Sequence, residues 1–270
     1  MSEVALVDTH CHLDFERYDE DRPAVLARAQ EAGVVAVINP AVDLASSAAV
    51  CALTAEHAPV YAAVGIHPNG SVDFAPEHID ALRALAGREG VVAIGEIGLD
   101  YYRDRSPRET QQRAFRAQLV LAAELGLPVI IHNREASQDV LAVLEGWVAG
   151  LDGPLRERPG VLHSFSALPS MAERAVALGF YIGITGPVTF KNADTLRRVV
   201  AEVPADRLLI ETDGPFLAPH PHRGQRNEPA YVRYVAERIA SVRGVSMEEI
   251  ARQTTLNAAR LFGLPLDPSP

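Results

Sequence analysis

Cysteine and cations are the scarce commodities of this 270-residue chain: it has two cysteines, Cys11 and Cys51, one tryptophan and a single lysine, Lys191. Two thiols cannot build a disulfide framework, and with no CxxC pair they can neither hold zinc as a thiolate site nor run a redox couple. No apolar run approaches the roughly 18 residues of a membrane span. The chain begins MSEVALVD, acidic and strand-like rather than basic and then apolar, so no secretory leader is expected. Positive charge is outnumbered, 25 Lys+Arg against 35 Asp+Glu, a net −10 with a pI near 5.4. Proteins that coat duplex DNA through many phosphate contacts are normally basic, so that class is excluded, though a local basic pocket is not. What remains is an ordinary globular composition, 48% hydrophobic and 22% charged. The expectation is a soluble, cytoplasmic protein with no membrane contact, monomer favoured, folded as a single domain over 1–270.

Short β-branched or apolar runs alternate with longer alanine-rich amphipathic stretches along the whole chain. The pattern predicts strands over 4–7, 34–38, 60–65, 91–95, 128–131, 160–162, 180–184 and 207–210. Helices are predicted over 23–32, 44–57, 76–88, 107–125, 137–148, 170–178 and 193–203, with two more over 229–242 and 246–262. Glycine marks several helix ends, as at Gly33, Gly126 and Gly179. Eight strand–helix units in a chain of this length predict a (β/α)8 TIM barrel with an extra C-terminal helix. An open doubly wound sheet would bring a glycine-rich phosphate loop after its first strand. Here that strand runs instead into Asp8-Thr9-His10-Cys11-His12.

In such barrels the reacting groups stand at the C-terminal ends of the strands. The residues just past the predicted ends are His10 and His12, His67, Glu96, His132, His163 and Asp213. His10 and His12 lie two apart on an extended segment, so their side chains share a face. Each residue alone has a structural reading: a surface pair, a loop cap, a core histidine, a turn former. Together, at one end of one barrel, they point to metal. Imidazoles and carboxylates without thiolate suit zinc, manganese, cobalt or nickel, and magnesium with added waters. Six of the seven, four imidazoles and two carboxylates, make a ligand set larger than one catalytic ion with an open position takes. They suit two ions about 3.5–4 Å apart, and hence metal-assisted hydrolysis.

The motifs carry a resemblance. DTHCHLD at 8–14, GIHP at 65–68, GEIGLDYYRD at 95–104, PVIIHNREA at 128–136, LHSFS at 162–166, GPVTFKN at 186–192, ETDGPFLAP at 211–219, RGQRNEP at 223–229 and RQTTLNAARLF at 252–262 resemble the TatD-type metal-dependent deoxyribonucleases. HxH alone is shared by many amidohydrolases; GEIGLD with ETDxP and RGxRNEP is far more specific. The resemblance implies one divalent ion (Mg2+, Mn2+ or Zn2+) on His10, His12 and Asp213, a second on His132 and His163, and Glu96 bridging them. It implies that Asp213 also takes the proton of the attacking water, and that the substrate is single-stranded DNA or another nucleic-acid 3′ end. Gln225 departs from the lysine common in RGKRNEP, and Phe216 from the tyrosine of TDxPYL.

The leading expectation is therefore a 3′–5′ exonuclease, with His67, Arg103, Lys191, Arg223 and Arg226 meeting substrate. The alternative is an ester or amide hydrolase such as a D-aminoacyl-tRNA deacylase, since a metal pair polarises a carbonyl as readily as a phosphoryl group. The basic RGQRNEP loop separates the two, because a neutral amide would not need it. Arg223 and Arg226 also have a structural reading, ion pairs with nearby acids that hold the loop.

Overall fold

The computed structural model describes residues 4–103 and 105–266, so Asp104, the end of the GEIGLDYYRD motif, lies outside the described residues. The strands are β1 (Leu6–Asp8), β2 (Val34–Pro40), β3 (Val60–Val64), β4 (Val91–Asp100), β5 (Val129–Arg134), β6 (Gly160–Leu162), β7 (Tyr181–Ile184) and β8 (Leu208–Ile210). They form one sheet in sequence order. Every strand is largely buried, which requires apolar side chains on both faces and explains why the strands read as continuous rather than alternating apolar runs. Past β8 the chain returns to the chain beyond β1: the Thr9 N–H donates to the Ile210 carbonyl at 3.1 Å, and Cys11 bridges Gly214 in parallel. The fold is the expected (β/α)8 TIM barrel.

The helices are α1 (Arg22–Glu31), α2 (Leu44–Glu56), α3 (Glu77–Ala86), α4 (Arg108–Leu125), α5 (Ser137–Ala149), α6 (Gly153–Glu157), α7 (Pro169–Ala177), α8 (Asp194–Glu202), α9 (Val232–Arg243) and α10 (Met247–Phe262). Their ends follow local chemistry. Asp43 and Ser46 form a reciprocal capping box at the start of α2, and the Ser246 hydroxyl caps α10 by accepting from the Glu249 N–H at 3.1 Å. Left-handed glycines stop α4, α9 and α10. Among the described residues no helix is long and apolar enough to cross a membrane.

Two compact units make up the chain. One comprises Met1–Asn39, Ser164–Glu173 and Ile182–Pro270, with a core that includes Leu6, Val25, Ile38, Ile184, Leu209, Val235, Ile239 and Leu261. The other comprises Pro40–His163 and Arg174–Tyr181, with Val64, Leu82, Ile94, Ile97, Phe115, Leu119, Ile131 and Leu144 among its buried side chains.

Three features differ from the sequence-based expectation. Strand β4 runs to Asp100, five residues beyond the expected end, and β5 runs to Arg134. Glu96 and His132 thus lie within strands rather than just past them. The extension needs a register shift between Ile94 and Ile97, after which Ile97, Gly98, Leu99 and Asp100 pair with Ile131, His132, Asn133 and Arg134. The short helix α6 interrupts a segment read as loop, and 229–242 divides into a 3-10 turn, Pro229–Tyr231, followed by α9. Gly98 makes the β4 extension possible. Its φ is +145°, which side chains rarely adopt, and an added Cβ would run into the His132 carbonyl. Gly98→Ala should therefore cost about 3 kcal/mol or more, overpacking added to backbone strain. Urea unfolding measures it; a loss under about 1 kcal/mol would show that β4 and β5 part without consequence.

Candidate metal centre

In the first unit, β1 continues into the extended run Asp8-Thr9-His10-Cys11-His12. The Asp8 carboxylate accepts from the Thr212 N–H (2.9 Å), the Thr212 hydroxyl (2.5 Å) and the His10 N–H (3.3 Å). It thereby ties the segment before the two histidines to the segment before Asp213. Asp213 sits at φ +57°, a left-handed conformation uncommon outside glycine and asparagine. Its N–H is held by the His10 carbonyl at 2.8 Å. The Nε2 atoms of His10 and His12 end 3.3 Å apart. Asp213 Oδ1 lies 3.9 Å from the first and 3.8 Å from the second.

Those separations can be checked against a metal. Bonds of about 2.0–2.1 Å in a tetrahedral site put neighbouring donor atoms about 3.3–3.4 Å apart. The triad is within about half an ångström of that, with both imidazoles buried. Phe15 stacks on the His12 ring at 4.6 Å, walling one side with apolar surface. The residues fit an ion.

The second unit holds another set. Glu96, buried in β4, has its Oε1 2.7 Å from His132 Nδ1, 3.5 Å from His163 Nε2 and 3.8 Å from His67 Nε2. His67, Glu96 and His132 offer ligand atoms all within 4.8 Å of one another. Beneath them, Asp100 Oδ2 lies 3.3 Å from His132 Nε2 and accepts from the Asn69 amide at 3.0 Å. Asp100 Oδ1 takes the backbone N–H groups of Tyr102 (3.0 Å) and Arg103 (2.9 Å). Helix α4 fixes this corner from below. The buried Gln111 side chain accepts from the Asp100 N–H and donates to the Asp100 and Ser106 carbonyls, and buried Gln118 reads the N–H and carbonyl of Ile66 in the same way.

Electrostatics follow from this packing. Burial pushes the Asp8 carboxyl up to about 8, against the bonds from Thr212 and His10 that would lower it. Burial also raises Asp100, but bonds from His132, the Arg103 N–H and Asn69 outweigh it and hold that carboxyl well below the usual range. For His132 burial opposes a proton, yet its bonds to Asp100 and Glu96 prevail and raise its pKa.

The remaining residues singled out in the sequence lie apart from these clusters in kind. Arg103 and Lys191 are exposed. Arg223, also exposed, lays its guanidinium 4.6 Å over the Phe190 ring. Arg226 forks onto Asp21, with both N–O distances 2.7 Å, and also donates to the Arg17 carbonyl. The bond from Arg226 holds the Asp21 carboxyl down at about 2. Its neighbour Asn227 donates to the carbonyls of Thr212 (2.8 Å) and Phe216 (2.7 Å), so RGQRNEP braces the loop that bears Asp213. Asp8, Asn69, Asp100 and Gln111 were not singled out from sequence. Asp8 and Asp100 stand inside the DTHCHLD and GEIGLD motifs, which was the only signal they gave.

Histidine and carboxylate ligands on the strands of a (β/α)8 barrel define a metal-dependent hydrolase. Comparison with known proteins narrows the class. Residues 7–263 match the family described as TatD related DNase, and the chain belongs to that family. It is 45% identical over 257 residues, 95% of this chain and 98% of the relative, to the uncharacterized metal-dependent hydrolase YabD of Bacillus subtilis. It is 38% identical over 265 residues, 96% of this chain and all of the relative, to the 3′-5′ ssDNA/RNA exonuclease TatD of Erwinia amylovora. Among solved structures it is similar to YJJV, a TatD homolog from Escherichia coli, with a TM-score of 0.89 and 36% identity, covering 96% of this chain and 98% of that one.

The Asp8 environment sets a pH dependence. An acid with a folded pKa of about 8, above the ordinary carboxyl value, holds its proton more tightly folded than unfolded. Metal-free protein should lose stability as pH rises from about 4 to about 8, because the unfolded chain releases that proton first. Asp8→Asn should flatten the profile, and above about pH 8 the variant should be the more stable of the two. Urea midpoints across pH measure this, and parallel profiles would show that Asp8 is ionised throughout.

Proposed function

We propose that this chain is a nuclease that hydrolyses phosphodiester bonds at the 3′ end of single-stranded nucleic acid with the help of two divalent ions. The observation that carries the reading is its near-full-length similarity to the exonuclease of Erwinia amylovora, together with two clusters of histidine and carboxylate side chains. On this reading His10, His12 and Asp213 hold one ion, His132 and His163 the other, and Glu96 joins the two. Bound there, Mg2+, Mn2+ or Zn2+ would supply Lewis-acid charge for the phosphoryl oxygens and make water a better nucleophile near neutral pH.

The chain's own residues do the rest. Asp213 keeps partial access to solvent, 16% of its side chain, and takes the proton of the attacking water on a carboxylate oxygen. Glu96, almost wholly buried, keeps its charge fixed among the histidines and cannot swing away to solvent. Arg223, Lys191 and Arg103 are exposed point and fork charges for the phosphates behind the scissile bond. Arg226 spends its donors on Asp21 and anchors the loop. An acidic protein with these few cations suits a pocket that admits one strand end.

Metal-stripped protein should leave end-labelled single strands intact and shorten them from the 3′ end once Mg2+, Mn2+ or Zn2+ is restored. Shortening from the 5′ end alone, or none with any ion, would overturn the reading. Asp213→Asn keeps shape but loses the proton acceptor, so turnover should fall by about 10²–10⁴-fold with the fold retained. Activity within about threefold of the parent would remove Asp213 from that role. The two loop arginines should separate. Arg223→Ala should weaken single-strand binding and reduce its salt slope by roughly 0.7, leaving hydrolysis of bis-p-nitrophenyl phosphate little changed. Arg226→Ala should loosen the loop, lower activity on both substrates together and leave the slope where it was.

A further inference from the structure

Glu96 has histidines on either side, and their other ring nitrogens have different partners. On His132 the far nitrogen, Nε2, faces Asp100 Oδ2 at 3.3 Å. Asp100 is held as an acceptor: its carboxylate already takes N–H groups from Asn69, Tyr102 and Arg103. With an ion bound, His132 would therefore carry its hydrogen on Nε2 and leave the Nδ1 lone pair, 2.7 Å from Glu96 Oε1, for the ion. On His67 the arrangement is turned round. Its far nitrogen, Nδ1, accepts the backbone N–H of Asn69 at 3.0 Å, so the hydrogen stands on Nε2, the atom that points toward Glu96.

We infer that Asp100 and the Asn69 turn divide the labour of these two histidines: His132 is positioned as a ligand, and His67 as an N–H donor that holds no metal. Both rings are the same tautomer, presented to Glu96 from opposite ends. Asn69 serves both, its backbone N–H setting His67 and its side-chain amide holding the Asp100 oxygen that sets His132. Asp100 is thus a positioning residue for the second ion. Partners of this kind fix the ring and raise ligand basicity, and their loss typically costs about 10–100-fold in metal affinity. The inference rests on the two-ion reading above.

Zinc titration of the metal-stripped protein, with nitrogen NMR of the imidazoles in the loaded form, tests it. The parent should take up two zinc equivalents, with His132 and His67 each carrying a single hydrogen on Nε2. His132→Ala should lose one equivalent and His67→Ala none. In Asp100→Asn the amide oxygen is claimed by the two backbone N–H groups, so the amide hydrogen faces His132 Nε2 and moves the ring hydrogen to Nδ1. The second zinc should then bind about 10–100-fold more weakly while the first is unchanged. A parent that binds two zinc ions with His132 protonated on Nδ1 overturns the positioning role, as does an Asp100→Asn protein that matches the parent in both readouts. Loss of a zinc equivalent in His67→Ala overturns the donor assignment. A parent that takes up only one zinc overturns the two-ion reading itself, and does so before any variant is made.

Discussion

Imidazole nitrogens 3.3 Å apart, and a carboxylate oxygen 2.7 Å from a third ring, attract one another only when a proton or a metal ion lies among them. A chain does not gather such atoms by hydrophobic collapse; something must hold them in place. In this protein the restraint is local and rigid. The ligand-bearing segments are fastened through their backbone groups, and the fastenings include the buried side chains of Asp8, Asp100 and Gln111.

The two units solve the problem with the same device. In one, a single buried carboxylate, Asp8, accepts from both segments that carry ligands. In the other, Asp100 stands beneath His132, and its backbone is clamped by Gln111 from α4. Burial raises both acids, but the hydrogen bonds to Asp100 outweigh it and those to Asp8 do not. Asp8 keeps its proton well above the ordinary range, and Asp100 gives it up well below. The apolar core supplies the framework, while these few polar contacts decide where the lone pairs point.

Periodicity made the eight strands and the helices around them legible, and with them the barrel. His10, His12, His132, His163, Glu96 and Asp213 were legible as ligand types at strand ends. The roles of Asp8, Asn69, Asp100 and Gln111 were not, because a hydrogen-bond acceptor looks like any other aspartate or glutamine until its partners are placed. The end of β4 was misjudged for a related reason. Gly95 and Gly98 look like turn residues, yet Gly98 is needed because His132 of the neighbouring strand leaves no room for a side chain. Likewise nothing near Arg226 in sequence announces Asp21, which lies 205 positions away.

That long separation recurs where β8 meets the chain beyond β1, in the pair Thr9 and Ile210, 201 residues apart. The first histidine–carboxylate triad is completed only across this seam, since His10 and His12 follow Thr9 and Asp213 follows Ile210. Glu96, His132 and His163 are all present much earlier. As the chain is made, the residues of the second set have all appeared by His163, whereas those of the first are complete only at Asp213. The direction of synthesis therefore completes the two sets in the order opposite to that in which their first residues are made.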